Sequence, residues 1–160
     1  MSSAAKSRST CLLSIGAEYV LDSSDPQFDQ ALATLCRQLG ANLAFDTVAG
    51  DMTGRILRAM PPGSRVLVYG ALSLQACQID PSSLIFAGKH VEGFWLSAWL
   101  RRRNLVGQFR LARQVQVLLA GELKTEIQTR LPLEEAAQGL ALYSNNMTAG
   151  KVLLLPRLKD

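Results

Sequence analysis

Apolar residues recur along this chain in two alternating rhythms. Phe28, Leu32, Leu35 and Leu39 are spaced four, three and four apart, which sets them on one face of a helix. Ser24 or Asp25 can cap that helix, Pro26 suits its first turn, and Gly40 ends it. Short apolar runs flank it, "YVLD" at 19–22 and "NLAFD" at 42–46, and both read as strands. Met52, Ile56 and Met60 mark a second helix, "PPGS" at 61–64 a turn, and "RVLVYG" at 65–70 a third strand. The unbroken apolar character of that strand suits burial on both faces, as in parallel sheets. "HVEGFWLS" at 90–97 reads as a fourth strand. Residues 104–121 form a helix that places Leu105, Phe109, Ala112, Val115 and Leu119 inward.

The rhythm then changes. "KTEIQTRL" at 124–131 alternates polar and apolar residues, as a half-exposed strand does. A helix over 132–146 follows, with Glu134 and Glu135 in its first turn, and "KVLLLP" at 151–156 closes as a strand. Strand and helix alternating in this way predict an α/β fold. We read it as a truncated, Rossmann-like, mostly parallel sheet of about four strands with flanking helices.

In open α/β sheets, ligands sit outside the carboxyl ends of the strands. Two such ends carry small residues, Val48-Ala49-Gly50 and Gly70-Ala71-Leu72-Ser73. A flat ligand can lie against a glycine backbone, or the glycines can simply permit tight strand-to-helix turns. The pattern leaves both readings open. The G-x-G-x-x-G and G-x-x-x-x-G-K-[ST] phosphate signatures are missing, as is the G-x-S-x-G elbow. His90 is the single histidine and nothing pairs it with a nucleophile, so no catalytic residue is assigned.

Composition narrows the classes further. A chain of 160 residues, 48% hydrophobic and 19% charged, can bury a core as one ordinary domain. No apolar run is long enough to cross a bilayer, so no membrane partner is expected. The net charge of +4 is concentrated in Arg101, Arg102, Arg103, Arg110 and Arg113. The helix carrying the last two also has a clear apolar face, so these arginines read as its wet side and no nucleic acid is expected. Cys11, Cys36 and Cys77 are scattered, which argues for a reducing, cytoplasmic setting and against disulfides or a metal site. Residues 1–10 read as a disordered tail in preference to a mitochondrial presequence.

Six stretches in register carry a family resemblance: "GAEYVLDSSDPQF", "NLAFDTVAGDM", "MPPGSRVLVYGALS", "VEGFWLSAWL", "GELKTEIQTRLPLEEAAQGL" and "NMTAGKVLLLP". Together they resemble the medium-chain dehydrogenase/reductase superfamily, in its zinc-free quinone reductase and enoyl reductase branch. The resemblance implies that residues 11–121 are the rear of a Rossmann domain that binds NADP(H). Residues 122–160 would be the segment that packs on a catalytic domain in relatives. Val48, Ala49 and Gly50 would lie towards the adenosine and pyrophosphate. Tyr69, Gly70, Ala71 and Ser73 would lie beside the nicotinamide ribose, and the backbone of Phe94, Trp95 and Leu96 would meet the nicotinamide amide. Asn146 and Lys151 would sit near the reactive end, and Ser23 replaces a tyrosine that often stacks on adenine. The first strand and glycine-rich turn of such a domain have no counterpart in residues 1–10. The expectation is therefore weak or absent NADP(H) binding and no reductase activity from this chain alone. The alternatives are an interaction module, forming a homodimer through the strand edge at 91–96, and the product of a truncated reading frame.

Overall fold

A computed structural model describes the backbone of residues 3–121, 123, 127–145 and 150–156, and the side chains of the same residues apart from 3–8 and 145. Two compact units divide the chain, Met1–Arg102 and Arg103–Asp160. The division falls before the helix at 105–120, where the sequence reading puts it after. Residues Ser3–Ser14 form helix α1, in place of the disordered tail expected through residue 10.

The first unit is built on a parallel sheet of three strands, β1 (Leu43–Asp46), β2 (Arg65–Val68) and β3 (His90–Gly93), in the order β1-β2-β3. Phe45 is in register with Leu67, and Leu67 with Glu92. Helices α2 (Phe28–Leu39) and α3 (Asp51–Ala59) intervene between these strands or before them. Gly40 ends α2 in the left-handed conformation, as its position predicts, and the following amides close back onto Arg37 and Cys36. Short helices α4 (Pro81–Ile85) and α5 (Leu96–Arg101) flank β3.

Side chains alternate across a strand, so the two faces of this sheet differ. Ala44, Val66, Val68 and Val91 turn to one side and join Cys36 from α2, Leu57 from α3 and Met60 just beyond it in the core. Phe45, Leu67, Tyr69 and Phe94 line a shallow apolar pocket of about 260 Å³. Phe45 keeps 66% of its surface exposed there, so within this unit the sheet is covered on one face, not the expected two.

Two sequence expectations fail for physical reasons. "YVLD" is not a strand, which leaves three strands in the sheet where about four were expected. Asp22 accepts bonds from the amide and hydroxyl of Ser24, and its carbonyl takes the Asp25 amide. The chain therefore turns directly into α2, and an extended segment without a ladder neighbour gains no strand stability. The strand at 90–97 stops at Gly93 because Leu96 already begins α5.

The second unit holds helix α6 (Leu105–Ala120), a parallel pair β4 (Ile127–Pro132) and β5 (Lys151–Leu155), and α7 (Ala136–Asn145). Gly139 lets α7 approach Leu131 and Val152 closely. The inward face expected of α6 is not buried: Leu105, Phe109, Ala112, Val115 and Leu119 are all exposed. Amphipathic spacing identifies a face that needs cover, and nothing among the described residues of this unit covers it.

Candidate functional site

The carboxyl ends of the three strands bring three loops side by side. Beyond β1, residues 47–50 turn into α3. Beyond β2, residues 69–78 wander before α4. Beyond β3, residues 94–95 lead into α5. Backbone bonds tie the first two loops together: the Leu72 amide donates to the Thr47 carbonyl, Ser73 to Val48, and Gln78 to Gly50. The Phe94 amide donates to the Val68 carbonyl at 2.8 Å, which attaches the third loop to β2.

What comes close to Gly70 is protein. A Cβ at this position would lie 2.5 Å from Thr47 Oγ1 and 2.6 Å from its carbonyl oxygen. Gly50 has φ +65° and ψ −135°, and a Cβ there would lie 2.9 Å from Ser73 Oγ. Both glycines therefore let the two loops interlock.

Asp46, at the end of β1, organises this junction, and the sequence reading passes over it. It is 2% exposed. Its Oδ1 accepts the amides of Val48 at 2.8 Å and Ala49 at 3.1 Å, and its Oδ2 accepts the Thr53 hydroxyl at 2.6 Å. Thr53 Oγ1 also lies 3.3 Å from Cys77 Sγ. Ala49 is held at φ +64°, an uncommon conformation for a residue with a side chain. Asp is a turn former that bonds amides two and three residues on, and that signal is present in "DTVAG".

The remaining expected site residues are placed as follows. Val48, Ala49, Ala71 and Ser73 belong to the interlocked loops, with Ala71 exposed and Ala49 buried. Tyr69 and Phe94 turn their rings to the apolar sheet face. Trp95 and Leu96 are exposed, and the Arg101 guanidinium stacks 5.0 Å from the Trp95 ring. The Ser23 carbonyl accepts from Arg55 on α3, which also pairs with Asp29 at 2.6 Å. Lys151 belongs to the second unit, where its ammonium donates to Tyr143 Oη at 3.1 Å. Asn146 lies outside the described residues. A cavity of about 830 Å³ lies elsewhere in the first unit, between α1, the segment at 18–21 and α2.

Comparison with known proteins gives these loops a context. The sequence model of a family described as zinc-binding dehydrogenase matches residues 15–154. The chain is 26% identical over 146 residues to mitochondrial enoyl-[acyl-carrier-protein] reductase of Mus musculus, covering 89% of this chain and 39% of that protein. A putative NADPH:quinone reductase from Mesorhizobium loti superposes with a TM-score of 0.69 at 32% identity, over 93% of this chain and 42% of that one. A putative NADPH:quinone reductase from Bacillus thuringiensis superposes with a TM-score of 0.74 at 23% identity, over 91% and 44%. The chain thus spans about two fifths of the length of these relatives. Although the family description names zinc, no three His, Cys, Asp or Glu side chains among the described residues gather to hold a metal ion. Asp46, the buried acid of the site, already has both oxygens engaged by the protein. The donor set among the described residues does not fit a zinc centre.

Proposed function

Since this chain belongs to the medium-chain dehydrogenase/reductase superfamily, matching its zinc-binding dehydrogenase family over residues 15–154, we propose that it supplies the cofactor-facing part of an NADPH-dependent reductase of quinones or enones. The observation that carries the reading is the placement of the interlocked loops. Small residues at 48–50 and 70–73 lie together beyond the carboxyl ends of adjacent parallel strands, where nucleotides dock in such sheets. Bound there, NADPH would supply the hydride that reduces the activated double bond or quinone. Val48, Gly50, Ala71 and Ser73 would form the floor, and the loop at 94–96 would flank the nicotinamide end. The chain's own contribution is to hold the cofactor in position, which is most of what hydride transfer asks of a protein.

The chain alone is not a competent reductase in this reading. No histidine side chain is presented by the described residues of the three loops, Asp80 at the end of the second accepts the Ser82 amide as the cap of α4, and Asp46 is withheld by its internal bonds. Purified chain mixed with NADPH and a quinone or enone should leave NADPH absorbance unchanged beyond the uncatalysed rate. Turnover at ordinary enzyme rates would refute the reading. Its three free cysteines fit a reducing compartment such as the cytoplasm. Among the described residues no helix is long and apolar enough to cross a membrane.

A second reading, a homodimer through the strand edge at 91–96, is favoured by one observation. In the order β1-β2-β3, strand β3 has a single neighbour and its other edge is open among the described residues.

A further inference from the structure

We propose that Asp46 is a positioning residue for the cofactor floor, acting through the backbone and never on the cofactor itself. This rests on the cofactor reading above and deepens it. An acid at the end of a strand in a nucleotide-binding sheet invites a role as a ribose ligand. Here the carboxylate is 2% exposed and turned inward, and three donors of the chain occupy it: the amides of Val48 and Ala49 and the hydroxyl of Thr53. Helix α3 begins at Asp51 with no side-chain cap from Gly50. A helix N-terminus normally offers free amides to a phosphate. Asp46 accepts amides of the loop ahead of α3, so what it sets is the course of that loop.

The shape is passed on in two steps. Asp46 fixes the amides of Val48 and Ala49, whose peptide planes carry the carbonyls of Thr47 and Val48, and Ala49 at positive φ leads into Gly50, which turns a third carbonyl to the next loop. Those three carbonyls accept the amides of Leu72, Ser73 and Gln78. The loop after β2 therefore takes its course from the loop after β1, and that loop from one carboxylate.

The test uses the full chain and three variants, read by amide exchange at Val48, Ala49 and Ser73 and by titration with NADPH. Asp46→Ala removes all three acceptor bonds. Asp46→Asn keeps Oδ1 for the two amides, while its new N–H donates to Thr53 Oγ1 and the Thr53 proton turns away. Thr53→Val removes the Oδ2 bond, together with the Thr53 contact to Cys77 Sγ, and leaves the two amide bonds of Oδ1 in place. In Asp46→Ala, the loop amides should exchange at least about tenfold faster and NADPH affinity should fall about tenfold, since leaving a buried amide without its acceptor costs about that much. Protection at Val66 in the core should not fall with them. Asp46→Asn should restore both readouts to within about threefold of the parent, because neither bonded amide is lost. If Asp46→Ala does not fold, Thr53→Val carries the comparison, with faster exchange at the same amides.

Unchanged loop amides in Asp46→Ala, or in Thr53→Val if that variant must serve, would overturn the proposal. So would Asp46→Asn behaving like Asp46→Ala, since that would assign the effect to the charge. A parent chain that gives no response to NADPH would refute the cofactor reading, while the exchange data alone would still decide whether Asp46 sets the loops.

Discussion

Gly70 and Lys89 show how single residues hold the sheet unit together. Alanine at Gly70 must push against the Thr47 backbone, so Gly70→Ala should destabilise the chain by about 1–3 kcal/mol, seen as a lower urea midpoint at unchanged slope. Lys89 is buried at 8% exposure, with its ammonium donating to the carbonyls of Leu57 and Arg58 in the last turn of α3. Desolvation pushes its pKa below the ordinary lysine value, opposed by the nearby Cys36 thiol. Burial pushes the Cys36 pKa above its ordinary 9.0, opposed by Lys89. The two groups act on stability with opposite signs. Folded Cys36 keeps its proton longer than the unfolded thiol, so its contribution is full below pH 9 and is lost as pH rises further. Folded Lys89 gives up its proton earlier than the unfolded amine, so its contribution grows with pH until the unfolded lysine titrates. The stability advantage of the parent over Cys36→Ala should therefore shrink between neutral pH and pH values above 9, measured by urea melts. An advantage that grows would contradict the assignment.

At the scale of elements, the legible features are those decided within a few residues. The periodicity of α2, its stop at Gly40 and the helix at 51–59 depend on local spacing, and the structure keeps them. "YVLD" needs a neighbour to become a strand, and "FWLS" is apolar enough for a strand although Leu96 starts a helix. The loops at 48–50 and 70–73 are legible as a place, because small residues follow two apolar runs. Their interlocking is not legible, because it depends on which carbonyl meets which amide across more than twenty residues of chain. Helix α6 has a clear start, where Asn104 Oδ1 accepts the Gly107 amide at 2.8 Å. Asn104→Ala should cost about 1 kcal/mol of helix stability. Edge pairing of β3 is tested best at Gly93. The amides of His90 and Phe94 point inward to Ser64 and Val68, so by alternation that of Gly93 points to the open edge. Gly93→Pro should convert a dimer to a monomer in sedimentation while sparing the inner ladder. A parent chain that is monomeric throughout would sink the dimer reading.

The molecule as a whole pairs a modest core with much uncovered apolar surface. Among the described residues the largest fully buried side chains are those of Leu57, Val66, Thr53 and Ser64, whereas Phe45, Phe109 and Leu105 stay largely exposed within their own units. Chains with so much exposed apolar surface favour association. The matched relatives are much longer than this chain, which covers 39–44% of the three compared. The central claim is that the loops at 48–50 and 70–73 are the floor of a nicotinamide dinucleotide site. With no charged side chain in residues 47–50 and 69–78 to pair with phosphate, binding should be weak. The most direct measurement follows backbone amide and Trp95 indole resonances while NADPH is added to the full chain. We expect Val48, Ala49, Gly70, Ala71, Ser73 and Trp95 to shift together, with a dissociation constant of about 1 mM, worth roughly −4 kcal/mol. No shift at those residues up to about ten times that concentration, or shifts confined to other parts of the chain, would contradict it.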